Sequence, residues 1–167
     1  MARTRSNRKN CTGIRSAVAV LRDADVQGVV RFRTVGRNQV EVSYSLTGLS
    51  DGLHGFHIHE YGDLSEGCKS ACAHFNPQGK THGGPHDAER HAGDLGNVDA
   101  RDGVAKGKLV VSGISLNPKS RLSIIGRAVV VHADPDDLGR GGNAESLRTG
   151  NAGARIGCAV IGLSSRA

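Results

Sequence analysis

The sequence has no tryptophan, one methionine, and only five aromatic residues among 167 (three Phe, two Tyr). Large aromatic side chains therefore contribute little, and the core must come from Val, Ile, Leu and Ala. No apolar run approaches the ~18 residues that cross a bilayer, which excludes a helical membrane protein. Residues 1–15 carry no apolar segment of the secretory kind, so a cytoplasmic location is expected. No apolar repeat at helical spacing exceeds a turn or two. Proline is sparse at 4 residues, whereas glycine reaches 24, roughly twice the usual share of about 7%. With no Gly-X-Y period, that excess predicts a turn-rich β protein rather than a fibre.

Lys and Arg number 22 against 16 Asp and Glu, a formal charge of +6. Arg3, Arg5, Arg8, Lys9, Arg15 and Arg22 all precede the first acid, Asp23, and the charges after it cancel. The net charge thus belongs to the start of the chain and does not by itself make the domain a nucleic-acid binder. Residues 1–16 have few apolar side chains and no periodicity, so the sequence predicts a basic disordered tail there and a domain over 17–167.

Within that domain Ala17–Leu21, Val26–Arg33 and Gln39–Leu46 read as strands. In Gln39–Leu46 the alternation is strict, with Val40, Val42, Tyr44 and Leu46 on one face. Further strands are expected at Gly55–Glu60, Val104–Val111, Ile114–Leu116, Ser123–His132 and Ile156–Leu163. Two long stretches, Tyr61–Ala92 and Ala133–Ala154, show no periodicity. Loops beyond ~12–15 residues are usually functional or disordered, and metal-ligand residue types in both favour function. Seven or eight short strands with two such loops predict an all-β fold, a Greek-key barrel or sandwich of antiparallel strands.

The 8 histidines are clustered. His57 and His59 alternate in a strand, on one face about 6–7 Å apart, a spacing that suits either one metal ion or an ordinary surface strand. His74, His82, His86 and His91 follow in loop, then Asp94, and the apolar run Val129-Val130-Val131 ends on His132. Three His and a carboxylate suit tetrahedral zinc, and a His-rich set with an open position suits copper. Spacing does not assign each His to an ion.

Gly55-Phe56-His57-Ile58-His59-Glu60-Tyr61-Gly62-Asp63, His74-Phe75-Asn76-Pro77, His82-Gly83-Gly84-Pro85 and His91-Ala92-Gly93-Asp94-Leu95-Gly96-Asn97 resemble motifs of the copper/zinc superoxide dismutases. So do Ile124–Arg127, Val130–His132, Asp136–Gly139 and Gly150–Cys158, all in family order from about Ala17 onward. The resemblance implies dismutation of superoxide to dioxygen and hydrogen peroxide at a copper centre cycling between Cu(II) and Cu(I), in antioxidant defence. It implies copper held by His57, His59, His74 and His132, and zinc held by His74, His82, His91 and Asp94, with His74 bridging. Asp136 would join His57 and His82 as an outer hydrogen-bond partner, a tie that orients ligand rings. Arg155 would guide the anion, Thr149 would narrow the channel, and Glu145 and Arg148 would shape the field around it. Ala144 stands where the family has an acid. His54 would bond backbone, and His86 would be a solvent-exposed residue.

Four cysteines allow three pairings, and the resemblance implies Cys68–Cys158. Cys72 stands where the family usually has Gly, and is expected to be a small, at least half-buried residue; Cys11 lies in the tail. The resemblance also implies a homodimer built on Tyr61-Gly62, Ile124–Gly126 and Val160–Leu163, loaded by a copper chaperone. Two other readings are a metal-delivery relative on the same fold, against which stands the lack of Met-x-Cys-x-x-Cys and Cys-x-Cys motifs, and a tail that binds nucleic acid or another polyanion. A short import segment is a further reading of the tail.

Overall fold

The computed structural model describes residues 16–36 and 38–165. The predicted tail through residue 15, with Cys11, lies outside the described residues; its last predicted residue, Ser16, instead opens the first strand. The strands are β1 (Ser16–Arg22), β2 (Gln27–Gly36), β3 (Gln39–Thr47), β4 (Gly52–His59), β5 (Ser65–Cys68), β6 (Asp94–Arg101), β7 (Val104–Ser112), β8 (Ala128–His132), β9 (Arg155–Val160) and β10 (Gly162–Leu163). Nine form one antiparallel sheet in the order β10-β1-β2-β3-β7-β6-β4-β8-β9, with β5 outside it. Because β9 runs through Ile161 into β10, and β10 pairs with β1, the sheet closes into a nearly complete barrel.

Side-chain alternation decides what fills it. On β3, Val40, Val42 and Leu46 are buried, and the half-buried Tyr44 lays its ring 5.7 Å from Phe56. Glu41, Ser43 and Ser45 face outward, as a period of two requires. All five residues of β8 are buried. Its second face is covered by the segment after β4, whose Leu64, Cys68 and Ala71 pack on Ala128, Val130 and Cys158. This satellite core presses the loop bearing His74 against the barrel wall.

The strand β6 is absent from the sequence expectations, because Asp-Leu-Gly-Asn gives no β signal and only Val98 and Ala100 alternate with exposed neighbours. Ile114 and Leu116 are core residues but form no strand; Ser115 makes a single bridge to Ser123. The predicted Ser123–His132 strand begins only at Ala128, and Ile156–Leu163 divides into β9 and β10. The loop after β4 holds β5 and a 3-10 turn at Lys69–Ala71.

Candidate metal centre

Between Gly55 and His57 the register of β4 on β6 slips. Loop backbone takes over the exposed edge: Phe75 N donates to Ile58 O at 2.8 Å, Ile58 N to Gly93 O at 2.9 Å, and Gly93 N to Phe75 O at 2.9 Å. Position 93 must be glycine for this approach, since a Cβ would lie 2.2 Å from Ile58 O. The loop stations of His74 and of His91–Asp94 are thereby fixed beside His57 and His59.

Six histidines (His57, His59, His74, His82, His91, His132) and Asp94 are buried together. One nitrogen of most of these rings is committed to a partner that orients the ring, leaving the other turned inward. His59 Nδ1 donates to Cys72 O at 2.8 Å and His132 Nδ1 to Gly153 O at 3.1 Å. His57 Nε2 and His82 Nε2 donate to the two oxygens of Asp136, at 2.9 and 2.7 Å. Gly150 makes room for that carboxylate, since a Cβ there would stand 1.9 Å from Asp136 Oδ1. On the inner side, His57 Nδ1, His74 Nε2, His82 Nδ1 and His91 Nδ1 are buried without a hydrogen bond among the described residues. Buried nitrogens without a partner are costly, and these converge where ions would satisfy them.

The ligand atoms of His57, His59, His74 and His132 lie within 4.8 Å of one another, with His59 Nε2 and His132 Nε2 3.4 Å apart. A second cluster centres on Asp94 Oδ1, which lies 2.9 Å from His74 Nδ1, 3.1 Å from His82 Nδ1 and 3.3 Å from His91 Nδ1. Mutual distance also groups His57 with His74, His82 and Asp94. Distance therefore places His57 with both clusters, and His91 joins the second through the 3.3 Å approach of its Nδ1 to Asp94 Oδ1. Tetrahedral zinc with bonds of about 2.0–2.1 Å separates its ligands by ~3.3 Å, which the spacing around Asp94 matches. The residues present therefore fit two metal ions, and His74 belongs to both clusters.

Electrostatics favour ligation. Burial holds the imidazoles of His57, His59 and His74 below their ordinary range and lowers His132 to about 4, so these rings keep their lone pairs at neutral pH. Burial also opposes charge on His82, but the carboxylates of Asp136 and Asp94 outweigh it and raise that ring to about 9. A metal arriving at His82 Nδ1 must displace a proton. Burial raises the Asp94 carboxyl, yet the three imidazoles facing it, that of His74 foremost, overcome this and hold it well below the usual carboxylate range.

A cleft of about 1040 Å³ opens over His59, His74 and His132, with Thr149, Arg148 and Arg155 on its walls. The Arg155 guanidinium is pinned from behind, Nη1 to Cys68 O at 2.6 Å and Nη2 to Cys72 O at 2.5 Å. Thr149 Oγ1 donates to Glu145 Oε1 at 2.8 Å, and Glu145 also pairs with Arg148 at 3.2 Å. Cys68 and Cys158 form a disulfide 90 residues apart. His54 bonds His132 O at 2.9 Å and Ser50 O at 2.9 Å, and His86 is exposed.

Three features escape the sequence. Arg90, only 8% exposed, donates to His91 O, Ala92 O, Asp94 O and Ser112 O, roping the histidine loop to β7. A basic residue in a polar loop carries no signal of this. Asp23 accepts from Cys158 N at 2.8 Å. Cys72, expected to be at least half buried, is an exposed free thiol whose carbonyl serves both His59 and Arg155. It ends the 3-10 turn at φ 64°, ψ −145°, close to a region that only glycine enters easily. Cys72→Gly is therefore expected to stabilise the protein by about 1 kcal/mol, strain relief of ~1–3 kcal/mol outweighing the entropy of glycine. Cys72→Ala, which keeps a Cβ, should gain nothing; denaturant titration of the two variants distinguishes them.

Residues 26–161 match the family model of the copper/zinc superoxide dismutases. The chain is 57% identical over 147 residues to superoxide dismutase (Cu-Zn) A of Xenopus laevis, covering 87% of this chain and 96% of that protein. It is 50% identical over 169 residues to an extracellular superoxide dismutase (Cu-Zn) of Onchocerca volvulus, covering 98% and 83%. Among solved structures, the clock protein EA4 superposes with a TM-score of 0.86 at 45% identity, over 91% of this chain and 97% of its own. No helix among the described residues is long and apolar enough to cross a membrane. With two histidine clusters that fit copper and zinc on this barrel, the chain is a member of the copper/zinc superoxide dismutase family.

Proposed function

We propose that His57, His59, His74 and His132 hold copper, that His74, His82, His91 and Asp94 hold zinc, and that the His74 ring is shared in the dismutation of superoxide. The observation carrying this is the two-sided commitment of His74, with Nδ1 2.9 Å from Asp94 Oδ1 and Nε2 bare toward the other cluster. When bound, copper supplies one-electron exchange between Cu(II) and Cu(I), and zinc supplies a redox-inert Lewis acid. Two superoxide ions and two protons give one dioxygen and one hydrogen peroxide.

The protein's part is binding, orientation and proton supply. Arg155 offers a planar fork whose backbone-bound side fixes its aim, leaving donors for a small anion. Asp136 keeps His57 and His82 turned so that their Nδ1 atoms face inward. His74 holds and delivers a proton at Nε2. Thr149, braced by Glu145, narrows the mouth, and Lys80 and Arg148 add positive charge at the rim.

The test is metal analysis joined to a superoxide assay before and after chelation. Activity should vanish with the metals and return with copper and zinc together. Protein loaded with both ions but inactive would place it with metal-binding relatives instead. Arg155→Ser, compared at equal copper content, should lower the rate about tenfold and flatten its fall with ionic strength. An unchanged salt profile would remove Arg155 from the guiding role.

The reading extends to a homodimer supplied by a copper chaperone. Its support is an exposed apolar patch of Tyr61 (54% exposed), Val160 (43%) and Leu163 (57%), next to the half-buried Ile125.

A further inference from the structure

Charge on the domain nearly cancels in sum but not in place. The contiguous strands β1, β2, β3 and β7 turn Arg22, Arg31, Arg33, Lys106 and Lys108 outward, all exposed. The only acid in these four strands is Glu41. It is spent on Arg33 at 2.9 Å and Lys108 at 4.0 Å. Arg22, Arg31 and Lys106 have no ion pair with any described residue. This face lies across the barrel from the cleft, whose histidines stand on β4 and β8.

The cations are arranged as two banks. Register places Arg31 beside Ser43 and Ser43 beside Lys108, and likewise Val29 beside Ser45 and Ser45 beside Lys106. Strands are spaced by ~4.8 Å, so the banks on β2 and β7 stand roughly 10 Å apart. Between them runs a groove of about 420 Å³, floored by Ser43, Ser45 and Gly107. The short side chains of Ser43 and Ser45 keep it open, while on the inner face the Tyr44 ring fills the place a side chain at Gly107 would take.

We infer that this groove binds a single strand of sulfated polysaccharide, with Arg31, Lys106 and Lys108 gripping sulfates from both banks. Width and composition select that occupant. A nucleic-acid duplex is too broad to enter and would meet only the rims. Single-stranded nucleic acid is held mainly by exposed aromatic platforms, whereas the one aromatic residue lining this groove, Tyr44, is half-buried with its ring against Phe56. A sugar strand instead matches hydroxyls on the floor, the small apolar Val29 at the edge, and cations on both sides. The five cations of residues 1–15 precede Ser16 directly in the sequence, and Ser16 pairs with Arg33 on this same face.

The test uses the full-length, metal-loaded protein and a heparin octasaccharide, followed by titration calorimetry near physiological salt. Arg31→Ser/Lys106→Ser/Lys108→Ser should bind about tenfold more weakly, the summed effect of three exposed charge contacts. Glu41→Gln, which removes the one competing carboxylate, should tighten binding about threefold, a gain that misfolding cannot imitate. Serine substitutions of Arg3, Arg5, Arg8, Lys9 and Arg15 in the full chain separate the preceding segment's share. Parent-like binding by the triple variant, or loss confined to the segment variant, overturns the assignment. So does tighter binding to a charge-matched duplex or single-stranded DNA than to the octasaccharide.

Discussion

Asp136→Ala is expected to weaken zinc binding by about 10- to 100-fold, the usual cost of removing an outer hydrogen-bond partner from metal-binding histidines. Each oxygen of this carboxylate holds a different ring, Oδ2 that of His57 and Oδ1 that of His82, and Oδ1 also accepts from Leu138 N at 2.7 Å. Its own backbone is clamped by Asn97, whose side chain donates to Asp136 O at 2.9 Å and accepts from Asp136 N at 2.8 Å. Alanine would leave two buried ring N–H groups without acceptors and free both imidazoles to turn. Asp136→Asn keeps the shape but offers one acceptor, so its loss should fall between. Competition titration against a calibrated zinc chelator measures all three proteins. Affinity in the alanine variant within twofold of the parent would show that ring orientation is set elsewhere.

Removing the disulfide should cost more stability than any other single change considered. A link across 90 residues restricts the unfolded chain by about 4–5 kcal/mol on the loop-entropy model. Cys158→Ser is thus expected to lower the melting temperature by roughly 10–15 °C at this chain length. Part of the damage should be chemical. Cys68 O is an acceptor for Arg155, and the satellite core around Leu64, Ala71 and Cys158 presses the His74 loop on β8. Calorimetry under oxidising and reducing conditions, with the serine variant as reference, reads the effect. A midpoint shift below a few degrees would mean that the satellite core holds the loop without the bond.

The alternating face of β3, the apolar run of β8 and the clustering of histidines were legible because each is a local pattern. What escaped is what depends on distant partners. Asp94–Arg101 becomes a strand only because β4 and β7 flank it, and its Gly, Asn and Asp residues give no local reason for one. Spacing could not divide the histidines between two ions, and the nitrogen each ring commits, to Cys72 O, Gly153 O or Asp136, depends on partners far off in the chain. The same holds for charge. A sum along the chain returns nearly zero for the domain, whereas strand pairing gathers Arg31, Arg33, Lys106 and Lys108 on one face. Cys72 is the opposite case, a residue whose side chain suggested little and whose carbonyl supports two members of the site.

The closure of the barrel by β10 on β1 brings Ser164 N to within 3.0 Å of Ser16 O. Nearly the whole described chain thus lies between the two strands that complete the sheet. During synthesis the first strands must wait, with one edge unpaired, until residues near 163 have left the ribosome. Arg155 and Cys158 arrive in the same late stretch. Arg155 and Cys158 can therefore join the histidine clusters only at the end of translation, and a ribosome stalled before β9 would display a barrel with an open seam. Such an edge is a template for pairing with other chains, so the interval before closure is when this protein is most exposed to aggregation.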